Sequence, residues 1–258
     1  MKAPVAGIDR LPGWRSGSPA RRRSRVVARL KAPVRRWLLK SGAMQWGTKS
    51  FEFWTLLMIV LGAVRPRRIV ELGAGRSTSY LADYAMKTGA RYAAIEQSRI
   101  YARRLRRALT GGFVDARVVH HVPLSGDGWY EAERLAAVVD FEPDMLFIDG
   151  PVGAQEDVGH GTRCSRRGVE WQQEAARAAR ILIVDDVHRR SNLAMYESLI
   201  AGLPRHRSLY LAYEPRPGCR NVAAVAVPAD LAGPIERACG ELRIPLLPHH
   251  TLEDCSEA

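Results

Sequence analysis

A chain of 258 residues, 47% apolar and 26% charged, has the composition of a soluble globular protein and is long enough for one large α/β domain plus an extension. Its net charge of +12 is uneven: residues 1–40 hold 12 of the 39 Lys/Arg and one of the 27 Asp/Glu, which leaves the rest near +1, so a basic arm joins a neutral body and an evenly basic nucleic-acid-binding body is disfavoured. Cys164, Cys219, Cys239 and Cys255 form no CxxC pair and the first 20 residues carry no apolar signal core, so free thiols and a cytoplasmic location are expected.

Residues 1–23 mix Pro, Gly, Ser and Arg without periodicity and are expected to be disordered. Over residues 24–40, Val27, Leu30, Val34, Trp37 and Leu38 recur at helical spacing with Arg and Lys on the other face, and Pro33 interrupts the run. A kinked amphipathic helix follows, suited to an anionic membrane surface, to packing on the body, or to a homodimer interface. Ser50–Val64 predicts a second helix; its apolar run from Phe53 is 12 residues, short of the ~20 needed to cross a bilayer.

Strands and helices then alternate. Strands are predicted at Arg68–Leu72, Tyr92–Ile95, Ala116–His120, Met145–Ile148 and Ile181–Val184. Helices are predicted at Thr78–Lys87, Ser98–Leu109, Glu131–Val139, Gly168–Arg180 and Leu193–Ala201. Ser208–Tyr213 and Asn221–Val227 are two strands joined by a turn too short for anything but antiparallel neighbours. The fold class is α/β: a Rossmann-like, doubly wound, mostly parallel sheet ending in an antiparallel hairpin. The expected division is a basic arm over 1–45, the α/β domain over 46–230 and a C-terminal extension over 231–258.

The first strand runs into Glu71-Leu72-Gly73-Ala74-Gly75-Arg76-Ser77-Thr78. Gly73 and Gly75 permit a tight turn and close approach of a ligand, and the helix opening at Ser77 and Thr78 presents free N–H groups. Glu96 ends the next strand 21 residues after Gly75, where an acid can accept hydrogen bonds from two ribose hydroxyls. A dinucleotide site would place a third glycine at Thr78 and an apolar residue at Glu71; a carboxylate there suits a cationic ligand instead. Val70–Gly75 resembles the first motif of class I S-adenosylmethionine-dependent methyltransferases, and Ile95-Glu96 resembles the second. The resemblance covers roughly residues 47–227, and the terminal hairpin fits it. It implies a cofactor site formed by Glu71, Gly73, Gly75, Ser77, Thr78, Glu96 and Asp149.

Two more strands end in acids, Asp149 after one and Asp185-Asp186 after the next. Neighbouring strands lie ~4.8 Å apart, so these carboxylates are candidates to converge on a hard cation such as Mg²⁺. The layout resembles the cation-dependent O-methyltransferases of the catechol and caffeoyl-coenzyme A type, as does Gly47-Thr48-Lys49-Ser50 upstream. That resemblance implies a metal at Asp149, Asp185 and Asp186. Asp186 stands where the family has Asn, and the family's catalytic Lys position is Val152. Asp149, Asp186 and His188 are the candidate catalytic groups, His188 as base for a substrate hydroxyl. His160, Arg163, Arg166 and Arg167 lie in a long loop suited to holding an anionic acceptor, and Gly128-Trp129-Tyr130 either walls the pocket or packs beneath a loop.

The expected activity is O-methylation of a small molecule or saccharide. A nucleic-acid methyltransferase is one alternative, disfavoured because Asp149-Gly150-Pro151-Val152 lacks a second Pro and an aromatic group. A nicotinamide-dependent oxidoreductase is another, disfavoured by Glu71 and Thr78.

Overall fold

Eight strands form one sheet in the order β3-β2-β1-β4-β5-β7-β6-β8. The computed structural model describes residues 51–110, 115–126, 128–151, 170–203, 205–216 and 219–248. The stretch 24–40, the segment Gly47–Ser50 and the loop bearing His160, Arg163, Arg166 and Arg167 lie outside them.

Helix α1 (Phe51–Val64) leads into β1 (Arg68–Leu72), α2 (Arg76–Thr88), β2 (Arg91–Glu96) and α3 (Arg99–Thr110). A 3₁₀ turn at Ala116–Val118 precedes β3 (Val119–His121), then come α4 (Ala132–Val138), β4 (Met145–Ile148), α5 (Glu170–Ala178), β5 (Ile181–Val184) and α6 (Arg190–Ile200). The chain closes with β6 (His206–Arg216), β7 (Cys219–Pro228), α7 (Ala229–Glu241) and β8 (Leu246–Leu247). The pairings β3-β2-β1-β4-β5 are parallel, and β7 joins β5 antiparallel. The α/β expectation holds, with the hairpin at the predicted place and longer than predicted.

Period-2 alternation divides the core between the two faces of the sheet. Ile69, Met145, Phe147, Ile181 and Ile183 point to one cluster with α1, α2, α3 and α7; Val70, Leu72, Leu146, Ile148, Leu182 and Val184 point to the other with α4, α5 and α6. The apolar run of α1 is a core helix: Phe53, Trp54, Leu56, Leu57, Val60 and Leu61 are all buried. No described helix is long and apolar enough to cross a membrane.

The segment set apart as an extension from residue 231 contributes to this same core. Ala232, Ile235 and Cys239 of α7 are buried in the α1 cluster, and β8 pairs with β6. No boundary falls at residue 230; the stripe of buried side chains at i, i+3 and i+7 holds α7 to the sheet despite Gly233 and Pro234 in its sequence. Cys239 is a free, buried thiol.

The strand order reverses between β1 and β4, which are hydrogen-bonded neighbours. In open α/β sheets the crevice at such a reversal, beyond the carboxyl ends of the strands, is where ligands bind.

Candidate active site at the carboxyl ends of the strands

The turn after β1 is tied to β2 by two backbone hydrogen bonds, from Gly73 N–H and Ala74 N–H to the Ile95 carbonyl, at 2.9 and 2.8 Å. Gly73 has φ +90°, and a Cβ there would lie 2.4 Å from Gly150 N and 2.6 Å from the Asp149 carbonyl carbon. The close approach that Gly73 permits is therefore that of the neighbouring β4 turn, where the sequence alone suggested a ligand. Gly75 is different: the nearest atom to a Cβ built on it is the Gly73 carbonyl oxygen at 4.0 Å. The open ground of the turn lies over Gly75.

Thr78 explains why a third glycine is not needed. Its Oγ1 accepts from Gly75 N–H at 2.8 Å and donates to Glu71 Oε2 at 2.8 Å, clipping the turn to the strand below it. The buried Tyr92 hydroxyl also donates to Glu71 Oε2. Burial, and then the charge of Glu71, hold the Tyr92 phenol well above its usual pKa, so it remains a donor. Glu71 is thus fully buried beneath the turn. Ser77 is buried beside it, and neither its Oγ nor Nη1 of Arg76 has a hydrogen-bond partner among the described residues.

Glu96, 4% exposed, ends β2. Its Oε1 accepts from Ser98 N–H at 2.7 Å. Burial raises its carboxyl to about 7; backbone N–H groups of Ser98 and Gln97 pull the other way, and the nearby Glu71 charge adds to the rise. Tyr101, 44% exposed on the first turn of α3, lies within the field of Glu96, Arg76, Glu71 and Asp149. Sequence reading passed over it; an aromatic residue one turn into the helix after the second acid was the available signal.

At the ends of β4 and β5 the acids lie around a residue from the hairpin. Tyr213 is buried, its hydroxyl donates to Asp185 Oδ1 at 2.6 Å, and its ring centroid lies 5.3 Å from that of Phe53. Burial, followed by the charges of Asp185, Asp149 and Asp186, holds the Tyr213 phenol well above its usual value. Asp185 Oδ1 also accepts from Asp186 N–H at 2.8 Å. Asp186 has φ +58°, a left-handed conformation that Asp tolerates better than most side chains. Its Oδ1 accepts from Asn221 Nδ2 at 2.6 Å, and its Oδ2 pairs with Arg189 Nη2 at 3.0 Å.

These contacts bear directly on the expected metal. Both oxygens of Asp186 and one of Asp185 are engaged by the protein's own donors, and a guanidinium stands against Asp186. Among the described residues no three His, Cys, Asp or Glu side chains come together in a set able to hold a metal ion. The arrangement at Asp149, Asp185 and Asp186 does not fit a resident divalent cation.

His188 follows this cluster. Its Nδ1 is buried and has no hydrogen-bond partner among the described residues. Burial lowers its pKa against the pull of Asp186, leaving a neutral imidazole near pH 7. Trp129 and Tyr130 are buried and meet edge to face at 5.6 Å, and the Tyr130 hydroxyl donates to Gln97 Oε1 at 3.4 Å.

No protein-family profile and no curated protein sequence matches the chain. Solved structures do. A Klebsiella pneumoniae protein assigned as an O-methyltransferase is 17% identical, covering 81% of this chain and 96% of its own, with a TM-score of 0.52. The O-methyltransferase TomG of Streptomyces achromogenes, involved in tomaymycin synthesis and solved with SAM, is 20% identical over 68% of this chain and 79% of its own, at TM-score 0.47. An O-methyltransferase from Bacillus cereus, solved with SAH, is 17% identical over 77% and 91%, at 0.43. At these identities the likeness is one of architecture: the chain shares the fold of the Klebsiella protein, here a Rossmann-like, mostly parallel sheet with a terminal antiparallel hairpin.

Proposed function

We propose that this chain is an S-adenosylmethionine-dependent methyltransferase acting on a hydroxyl of a small molecule or saccharide. One observation carries the reading. Beside the strand-order reversal, the open turn at Gly75 follows β1, and the carboxyl ends of β1, β2, β4 and β5 carry five acids: Glu71, Glu96, Asp149, Asp185 and Asp186. Such a field suits a ligand bearing a sulfonium and an ammonium group and repels a pyrophosphate, which weighs against a nicotinamide cofactor.

In this reading Gly75, Ser77 and the α2 N-terminus lie under the methionine part of the cofactor. Glu96 accepts from the ribose hydroxyls, and Asp149 borders the site from β4. Glu71, Gly73 and Thr78 act from beneath by fixing the turn. The acceptor oxygen attacks the methyl carbon in line with the departing sulfur; a C–O bond forms, the C–S bond breaks, and the electron pair leaves with sulfur. The hydroxyl proton passes to His188, whose Nδ1 has no partner among the described residues, or to Asp149; Asp186, a candidate from its place after β5, has both oxygens engaged by Asn221 and Arg189. No step passes through a divalent cation, because the donor set does not fit one. The basic, amphipathic stretch 24–40 is proposed to contact anionic lipid peripherally, checked by vesicle sedimentation of the chain with and without residues 1–40.

Calorimetric titration with S-adenosylmethionine and, separately, with NAD tests the cofactor. One equivalent of S-adenosylmethionine and no NAD is the expected result; NAD binding alone would replace this reading with an oxidoreductase.

A further inference from the structure

We propose that the exposed arginine face of α3 docks on an anionic lipid surface, with Ile100 entering the headgroup layer. The proposal goes beyond the methyltransferase reading and does not rest on it.

The argument starts from charge. Helix α3 holds five of the 27 Lys/Arg of residues 41–258 and none of their 26 Asp/Glu, so the rest of that body is net acidic. Arg106 is half-buried, and its Nε donates to the Val119 carbonyl at 2.8 Å. Arg99, Arg103, Arg104 and Arg107 are exposed, and every ion pair among the described residues lies elsewhere.

Helical spacing gathers these four on one side. Arg99, Arg103 and Arg107 follow one another at i, i+4, with Ile100 and Arg104 alongside, while Ala102 and Leu109 are buried on the other side. The arrangement works against the helix. Like charges at i, i+4 repel, and Arg99 stands at the positive end of the helix dipole, in a first turn that carries no acid. A face kept at a cost in helix stability, and given no counter-charge by the described fold, calls for an external anion.

Ile100 decides which one. Among the described residues the large apolar side chains left exposed are Met86, Ile100 and Tyr101, and Ile100 is the most exposed at 65%. An aliphatic side chain offers a nucleic-acid base no stacking surface, whereas an apolar residue set among arginines suits the boundary between headgroups and acyl chains. The first turn also sets the orientation. Ser98 N–H donates to Glu96 Oε1 at 2.7 Å and Tyr101 N–H donates to Ser98 Oγ at 3.2 Å, so α3 begins at the carboxyl-end side of the sheet. Docking through this turn sets the strand-end crevice beside the bilayer, in reach of an acceptor carried there.

The test is sedimentation of the full chain with phosphatidylcholine vesicles of increasing phosphatidylglycerol content; high salt is expected to release wild type. Two fourfold variants are compared, each losing four charges and keeping residues 1–40. Arg99→Gln, Arg103→Gln, Arg104→Gln and Arg107→Gln together are expected to weaken partitioning about tenfold or more, since each basic residue near an anionic surface adds to the attraction. Arg134→Gln, Arg177→Gln, Arg205→Gln and Arg237→Gln, at exposed positions elsewhere, should weaken it by less than about twofold. Ile100→Ser alone should weaken it severalfold. Relief of the like-charge pairs should leave the thermal midpoint of the α3 variant at or above that of wild type. Equal partitioning of the two fourfold variants would overturn the proposal and leave residues 1–40 as the contact. So would an α3 variant that loses affinity for a single-stranded RNA oligonucleotide yet sediments with vesicles as wild type does, because the face would then belong to nucleic acid. If the α3 variant melts well below wild type, unchanged partitioning of Ile100→Ser overturns the proposal instead.

Discussion

The two halves of the strand-end crevice handle their acids in opposite ways. Beyond β1 and β2, Glu71 is tied down by Thr78 and Tyr92, while among the described residues Glu96 accepts from the backbone N–H groups of Ser98 and Gln97. Beyond β4 and β5, Asp185 and Asp186 are bonded to the side chains of Tyr213, Asn221 and Arg189. Carboxylates already satisfied from within the chain have little left to offer a ligand; an acid held by backbone alone retains acceptor capacity. On the proposed reading the first half binds the cofactor, while Asp185 and Asp186 in the second are held within the fold.

The largest expected effect breaks the joint between the halves. In Gly73→Ala a Cβ would meet backbone atoms of Asp149 and Gly150 at 2.6 and 2.4 Å, in a residue at φ +90°. Backbone strain and overpacking together are expected to destabilise the fold by about 3–5 kcal/mol, read from the denaturant midpoint. Gly75→Ala has room for its methyl and should leave that midpoint nearly unchanged while weakening S-adenosylmethionine. Equal midpoints for the two variants would show that the turns do not interlock.

The comparison sharpens in binding. Glu96→Ala should weaken S-adenosylmethionine by roughly 1.5–3 kcal/mol, the range for hydrogen bonds to a charged group. Asp186→Asn should change that affinity far less, because its carboxylate is spent on Asn221 and Arg189. Calorimetry that ranks the two variants in the reverse order would move the ribose site to the other half.

Stability separates the halves by a smaller amount. Tyr213→Phe removes the donor from the buried Asp185 carboxylate and should cost about 1–3 kcal/mol of unfolding free energy. The same change at Tyr92 should be milder, since Thr78 still donates to Glu71. Chemical denaturation of both variants checks the order.

What the sequence disclosed follows the range of the forces involved. Met145–Ile148 and Ile181–Val184 are read to the residue because each is an apolar run cut off by an acid. The hairpin strands run past their predicted ends, since polar residues continue the β6–β7 pairing that began in the core. Helix α7 went unread because Gly233, Pro234 and Gly240 mask the i, i+3, i+7 stripe of Ala232, Ile235 and Cys239. At the site, Glu96 and the glycine turn are local signals and were legible. The separate tasks of Gly73 and Gly75 depend on the distant Gly150, and Tyr213 reaches Asp185 across 28 residues of chain. No local pattern encodes either contact.

The smallest effect is a titration. Burial places the Glu96 carboxyl at about 7, above its usual value of 4.5, with the Glu71 charge adding to the rise. The raised value means that the folded, unliganded chain favours the neutral acid, so ionising Glu96 subtracts stability as pH rises from 4.5 through about 7. Binding runs the other way. Ribose hydroxyls donate best to a carboxylate, and a cationic cofactor prefers its charge, so S-adenosylmethionine should bind more weakly as pH falls through 7. With half ionisation near pH 7, the charged fraction drops about tenfold between pH 8 and pH 6, and affinity should fall by about the same factor. The cofactor's own amino group also titrates, so the reading is the difference between wild type and Glu96→Gln, whose side chain cannot ionise. Parallel pH profiles for the two proteins would mean that Glu96 does not face the cofactor. A wild-type profile steeper by about tenfold would tie the buried acid of the first half to the ligand, whereas Asp185→Asn in the second half should leave the pH dependence of binding as it is.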